Sequence, residues 1–518
     1  MKNSCLSSDD TGDDKKATSV EWLAVIGGVL AAFMAVLDIQ IVNASLQNIQ
    51  GALSASVEES TWLSTAYLIA EVVIIPLAGW LARVFGFRRY MLTCVSMFII
   101  ASVLCGFSFS LESMIVFRAV QGLFGGALIP LAYTLIMTTL SEAERPKGMA
   151  MFAISAVSAP AFGPALGGWL TDTWSWHWIF FINVIPGTLM LALLMRSLPK
   201  NPLNLKLLRT ADWLGIITMA AGLACLQIVL EEGNLKDWFS SQYIVVLSLI
   251  SLVSLLIFVV HELSCSQPVV NLRLLKSPRF GFGVLANMGI GFCLYSAVYL
   301  LPMYLGQVQG YNPTDIGLVI MWMGVPQLLI VPLVPGLMKR FGSVPVALTG
   351  IVFFTAGFFL STRLNPDFSG PQFHWIQIIR AMGLPLIMTP LMVMTTEGIS
   401  VRYAADASGL FNILRNLGGA IGMAVMATLL TNRTLLHDAR IREDLPDTWE
   451  QLSAMFAHFP AAGTEQKVAL LSAEINRQAS IMAFSDDFML LALVMVFCFI
   501  MVVVSGRGTN HRLDSTIA

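Results

Sequence analysis

Residues 115–130 read IVFRAVQGLFGGALIP, and residues 159–170 read APAFGPALGGWL. Each stretch lies in a segment apolar enough to be a membrane helix. The first carries Arg118. A charge at bilayer depth costs at least ~2.5–3.5 kcal/mol unless it is paired or hydrated, so a function is the default expectation for it. Gln121, Gly122, Gly125 and Gly126 follow within two turns. They leave one side almost bare, where another helix or a ligand can come close. The second stretch places Pro160, Gly163, Pro164, Gly167 and Gly168 in nine residues. In water that density would end a helix; in lipid it persists as a thin, bent helix packed on a neighbour. A buried charge beside a bendable helix points to a device that moves something through a membrane.

Composition agrees. The 518 residues are 56% hydrophobic and 12% charged, against about 25% charged in soluble domains, and mean hydropathy is +0.75. The expected class is an all-α polytopic membrane protein. A net charge of −2 implies no nucleic-acid partner. Residues 1–21 are polar and acidic, without the basic-then-apolar build of a cleaved signal, and are expected to be a disordered cytoplasmic tail. The seven cysteines are scattered, so no disulfide framework is expected.

A crossing needs about 20 apolar residues, and fourteen such stretches lie between 22 and 505. The short loops near 46–59, 109–112, 171–177 and 306–313 contain no Lys or Arg. The alternate loops carry Arg83, Arg88 and Arg89, then Arg145 and Lys147, then Lys200, Lys206 and Arg209, then Arg273, Lys276 and Arg279, then Lys339 and Arg340. This positive-inside pattern puts both termini in the cytoplasm. The long segment 431–484 is then an outer loop. Within it LPDTWEQLSAMFAHF and EQKVALLSAEINRQAS each read as an amphipathic helix.

An internal repeat is present. PLAGWLARVFG (76–86) aligns without a gap on PLVPGLMKRFG (332–342), and IVFRA (115–119) on QIIRA (377–381) at nearly the same offset. The second pair falls on the fourth span of each six-span half. The expected organisation is a bundle at 22–198, two inserted spans with their inner loops at 199–279, a second bundle at 280–505, and a cytoplasmic tail at 506–518. Parallel six-span halves are the build of major facilitator transporters.

Further motifs carry a specific resemblance. They are LDIQIVNASL (37–46), GWLARVFGFRR (79–89), RAVQGLFGGALIP (118–130), GPALGG (163–168), WHWIFFINVIPG (176–187) and FNILRNLGGAIG (411–422). Over essentially its whole length the chain resembles the fourteen-span drug:proton antiporters of the major facilitator superfamily, EmrB/QacA type. The resemblance implies the major facilitator fold and proton-coupled efflux of amphipathic or hydrophobic compounds across the bacterial inner membrane. Asp38 and Arg118 are implied at the coupling site. Gly79, Arg83, Gly86, Arg88 and Arg89 form the loop motif between spans 2 and 3. In the superfamily that motif usually has an aspartate where this chain has Arg83, which puts the usual salt bridge there in doubt. A periplasmic adaptor and an outer-membrane channel are open as partners beside the small-molecule substrate, protons and lipid.

Depth adds an independent reading. Span 1 runs outward and Asp38 lies ~24 Å from Trp22, while span 4 runs inward and Arg118 lies ~8 Å below its start, at 1.5 Å per residue. In a core ~30 Å thick both fall in the outer half. Glu71 lies near the middle of span 2, so Asp38, Glu71 and Arg118 are expected to share one cavity. Burial disfavours a charged carboxylate and a nearby arginine favours it, and a group held between these pulls can exchange a proton. Arg118 stays protonated and would gate the carboxylate. Either acid could instead be a structural hydrogen-bond partner. Gln121, Gly122, Gly125 and Asn43 are candidates for the substrate cavity, and the Pro160–Gly168 segment for bending against the second half. Arg415 with Asn412 reads as a structural contact, His261 as interfacial, and Glu397, Arg402 and Asp406 as a solvated cluster.

No metal-ligand spacing, phosphate loop or nucleophile elbow occurs, so neither enzymatic activity nor a cofactor is expected, and the energy must come from an ion gradient. Export of one endogenous metabolite, such as a siderophore or fatty acid, is an alternative. A receptor or scaffold with no flux of its own is another.

Overall fold

The computed structural model describes residues 17–507 except 142–143, 201, 210, 266–267, 269, 400–402 and 444–463. Most of the expected N-terminal tail, residues 508–518, the expected helix at 445–459 and Arg402 lie outside the described residues, as does the side chain of Asp406.

Among the described residues, fourteen long helices run in sequence. They are α1 (Ser19–Ala44), α2 (Val57–Phe85), α3 (Phe87–Gly106), α4 (Leu111–Thr139), α5 (Arg145–Thr173), α6 (Trp178–Ser197), α7 (Trp213–Glu232), α8 (Gln242–Ser264), α9 (Pro278–Gln307), α10 (Thr314–Phe341), α11 (Ser343–Leu360), α12 (Gly370–Thr396), α13 (Ala404–Glu443) and α14 (Thr464–Arg507). Thirteen are long and apolar enough to cross a membrane. The other, α5, is long enough at 29 residues but polar at its start and rich in Gly and Pro. The starts of α1 and α2 are set by capping boxes. Thr18 accepts from the Glu21 N–H while Glu21 reaches back, and Ser56 and Glu59 do the same, satisfying N–H groups that have no partner in the helix.

The two halves repeat in their packing. In the first, α1 packs on α5 and α6, α2 on α4, and α3 on α4; in the second, α9 packs on α13 and α14, α10 on α12, and α11 on α12. The loop repeat is visible in the backbone. Gly86 and Gly342 close equivalent helices at φ +81° and +87°, a region open to glycine and strained for other residues. The halves meet where α5 lies along α10 and α2 along α13. The inserted α7 packs on α2 and α13, at one seam between the halves, and α8 packs on α7. Leu249, Leu252, Leu256 and Val260 of α8 stay exposed, as suits a face turned to lipid.

Two expectations need correction. The segment 431–484 is not one loop. Residues 431–443 prolong α13, and the amphipathic stretch 465–480 is helical but continuous with the last span. Its polar residues tie it down, with Arg477 donating to the carbonyls of Val308 and Pro366. The second correction concerns α5. Gly163 and Gly167 do not face the second half. A Cβ on Gly163 would strike Gln40 of α1, and one on Gly167 would lie 2.7 Å from the Ile41 carbonyl oxygen. Contacts with the second half include Ala165 against Gly317 of α10 and the bond from the Thr314 hydroxyl to Asp172. The thin face seats α5 on α1.

The glycines of α4 serve a similar purpose. A Cβ on Gly122 would run into the backbone of Tyr67 on α2, and one on Gly126 would meet Glu71 at 2.8 Å. Gly336 in α10 has nothing within 4 Å. Gly122→Ala is therefore expected to lower stability by ~1–3 kcal/mol, the usual cost of overpacking, and Gly336→Ala to leave it unchanged or raised. Thermal unfolding in detergent checks this, and equal melting temperatures for the two variants would contradict the packing role.

Candidate functional site

Asp38 lies on α1 and Arg118 on α4, and both are completely buried. The guanidinium Nη1 donates to Asp38 Oδ2 at 2.6 Å and to Gln121 Oε1 at 2.8 Å, while Nε donates to the Leu63 carbonyl at 3.1 Å. The other oxygen, Asp38 Oδ1, accepts from Gln121 Nε2 at 2.9 Å and Asn183 Nδ2 at 2.6 Å. Asn183 also donates to Ser102 Oγ at 2.9 Å, and Ser102 donates to the Phe180 carbonyl at 2.8 Å. The Tyr67 ring lies 4.4 Å from the guanidinium, an additional cation–π support. Both carboxylate oxygens and three guanidinium bonds are thus satisfied without water.

Local sequence explains the delivery of each group. Gln121 follows Arg118 by three residues and shares its helix face. The bare glycine side of α4 lets α2 approach, so that Tyr67 and the Leu63 carbonyl reach the arginine. Asn183 sits where α6 is interrupted between Phe181 and Val184, at the start of its second segment, and its side chain points at Asp38. The motif WHWIFFINVIPG contains it, but a neutral asparagine among aromatics carries no charge signal for this role. Tyr67 and Ser102 have no signal in the sequence.

A second site lies between the halves. A cavity with about 1400 Å³ of empty volume, open space at its mouth included, is lined by all the helices that face the seam. Most of its wall is apolar, with Val36, Ile39, Leu68, Met323, Met388 and Met423 among the lining residues. Its charged groups are Glu71 from the first half and Arg415 from the second, accompanied by Gln40, Gln227, Tyr295, Gln327 and Asn416. Gln227 comes from the inserted α7. Glu71 therefore belongs to this cavity and not to the Asp38–Arg118 cluster. Along α2 it lies one turn beyond Tyr67 and two turns beyond Leu63, the residues that contact Arg118, and so at a different depth.

Several expected cavity residues are placed elsewhere. Gln121 is sealed in the ion-pair cluster. Gly122 and Gly125 are covered by α2 and by Phe98 of α3. Asn43 is exposed and accepts from Ser64. Arg415 is not paired with Asn412, whose amide donates to the Ser408 carbonyl; its Nε is buried without a hydrogen bond and the residue lines the cavity. Glu397 does not stand in a solvated cluster alone but pairs with Arg279. Arg88 of the loop motif donates to the carbonyls of Leu198 and Met195 and so caps α6, while Arg83 and Arg89 are exposed and Gly79 lines a small cleft with Gly409 of α13.

The repeat partner of Arg118 has different company. Arg380 on α12 is equally buried and donates to Gln377 at 3.0 Å. It lies over the rings of Phe358 and Phe354, and among the described residues no carboxylate pairs with it. One donor set has metal-like spacing: Asp212, His261 and Cys265 bring ligand atoms within 4.8 Å of one another at one end of α7 and α8. His261 is not simply interfacial, since it bonds Asp212 at 2.8 Å.

With this geometry in view, comparison with known proteins is informative. The Major Facilitator Superfamily family model matches residues 28–423. The colistin resistance protein EmrB of Acinetobacter baumannii is 32% identical, over 94% of this chain and 96% of its own length. The multidrug export protein EmrB of Escherichia coli is 32% identical over 89% of this chain and 90% of its own. The fatty acid resistance protein FarB of Neisseria gonorrhoeae is 32% identical over 92% and 94%. Among solved structures, a bacterial homologue of the human lysosomal transporter Spinster, inward-facing and occupied, aligns with a TM-score of 0.55 at 14% identity, covering 95% of this chain and 98% of that one. The chain is an integral membrane efflux transporter and belongs to the major facilitator superfamily, as a member of the EmrB type.

Proposed function

We propose that the protein exports amphipathic or hydrophobic compounds from the cytoplasm in exchange for protons, by alternating access of the cavity between its two halves. The observation that carries this reading is a pairing of two sites: a largely apolar cavity of drug-binding size next to a fully buried Asp38–Arg118 ion pair. In this reading Asp38 takes up the proton and Arg118 favours its release. Glu71 is a second acid that faces the substrate. Gly163 and Gly167 let α5 slide on α1 as the halves rock, and Pro160, Pro164 and Gly168 bend it. The membrane is the bacterial cytoplasmic one, with the Arg88 and Arg145 end of the bundle in the cytoplasm. A periplasmic adaptor and an outer-membrane channel are compatible partners.

The direct test is efflux from membrane vesicles under an imposed pH gradient, with a panel of compounds. Asp38→Asn keeps the shape but cannot ionise. It is expected to abolish gradient-driven efflux while substrate binding stays measurable, because the amide mimics the protonated acid. Arg118→Lys keeps the charge but loses the planar fork, and turnover is expected to fall strongly. Wild-type efflux by Asp38→Asn would move the proton site elsewhere.

A second reading, export of one endogenous amphiphile such as a fatty acid, is favoured by Arg415. Its guanidinium is the cavity's cationic group and could hold a carboxylate head while the tail lies on the methionines. Arg415→Gln is then expected to lower export of a carboxylate amphiphile and spare a neutral compound; equal effects on both would count against it.

Orientation has its own check. Asp367 is exposed in the turn between α11 and α12. A cysteine placed there is expected to react with an impermeant thiol reagent added from outside intact cells. Reaction only after permeabilisation would reverse the orientation.

A further inference from the structure

Asp487 on α14 is completely buried, and neither of its carboxylate oxygens has a hydrogen-bond partner. Its neighbour Asp486 points the other way. Asp486 is about two-fifths exposed and pairs with two residues of the adjacent α13, His437 at 3.0 Å and Arg433 at 3.6 Å. Arg433 thus acts on Asp487 only at a distance and against the opposing charge of Asp486, and forms no hydrogen bond or ion pair with it.

Among the described residues, the other helices packed on α14 supply no cation paired with Asp487. From α9, Tyr299 lies within electrostatic range of both Asp487 and Glu231. From α12, Arg380 is held over Phe354 and Phe358, and the ring of His374 lies on Trp322. Between Ser343 and Leu360, α11 has no titratable acid or base at all. An isolated carboxylate in such a place costs far more than a neutral acid, and the group neutralises instead.

We infer that Asp487 is a second proton-binding site, in the half of the transporter opposite Asp38, and that it holds its proton in this conformation. The proton comes from the face where Asp486 and Arg433 meet solvent, and it leaves when α14 shifts against α9 and α13 and opens the carboxyl to water. The link to substrate is structural. Tyr299 lies one turn beyond Tyr295, which lines the cavity. Glu231 accepts from Gln227 at 3.0 Å, and Gln227 lines the cavity too. The site thus gives the second half an acid of its own, which its buried Arg380 lacks as a partner.

This inference rests on the transport reading for its role but not for its existence, and the two are tested separately. Infrared difference spectra of the purified protein, titrated with pH, report buried carboxylic acids directly. Wild type is expected to show a protonated-acid C=O band that persists above the range of exposed carboxylates and that Asp487→Asn removes. Asp487→Glu keeps an acid and is expected to retain a shifted band. In proteoliposomes, the proton-to-substrate ratio from the reversal potential is expected to fall by one in Asp487→Asn. An unchanged infrared band, or an unchanged ratio in a variant that still transports, would overturn the proposal. Wild-type protein that shows the band but moves no substrate would overturn the transport reading and leave the proton site standing.

Discussion

The first half of the protein is built around the ion pair between Asp38 and Arg118. Burying either charge alone would carry a large desolvation cost, which the second half meets at Arg380 with Gln377 and two phenylalanine rings instead of a carboxylate. Together they are stable only if the carboxylate oxygens and the guanidinium find further partners. That requirement explains the company they keep: Gln121 bridges both, Asn183 completes the carboxylate, the Leu63 carbonyl takes the arginine Nε, and the Tyr67 ring covers its face. Four helices and the interruption of α6 converge on one pair of charges.

Close packing makes the convergence possible. The Gly122–Gly126 side of α4 brings α2 into backbone contact, and the Gly163–Gly167 side of α5 does the same with α1. These are interfaces where small residues admit close approach rather than hinges visible in a static structure. The second half repeats the helix packing but not the chemistry. Its buried Arg380 rests on phenylalanine rings, and its buried acid, Asp487, stands apart. A duplicated scaffold has thus been given two different electrostatic interiors, and the cavity between them collects Glu71 from one and Arg415 from the other.

Much of this was legible in the sequence. The spans followed from apolar length, the repeat from two aligned motifs, and the depth match of Asp38 with Arg118 from helix rise alone. What could not be read was azimuth. Gln121 shares a helix with the glycines that α2 covers but is sealed against Asp38, and Gly163 faces α1 rather than the other half; a one-dimensional count along a helix contains neither fact. Neutral partners were also hidden. Asn183 is positioned by a break in α6, and Arg415 is freed by the local bond between Asn412 and Ser408, so in both cases a backbone detail decides a side chain's role.

The central claim is that Asp38 and Arg118 form one energetic unit, and a double-mutant cycle on stability tests it most directly. Unfolding would be followed in detergent for Arg118→Gln, Asp38→Asn and the double variant. Removing the arginine alone leaves a buried acid unpaired and is expected to cost ~3–5 kcal/mol, while the double variant should recover a large part of that loss. Strictly additive losses in the double variant would contradict the account, because residues that act independently show no coupling.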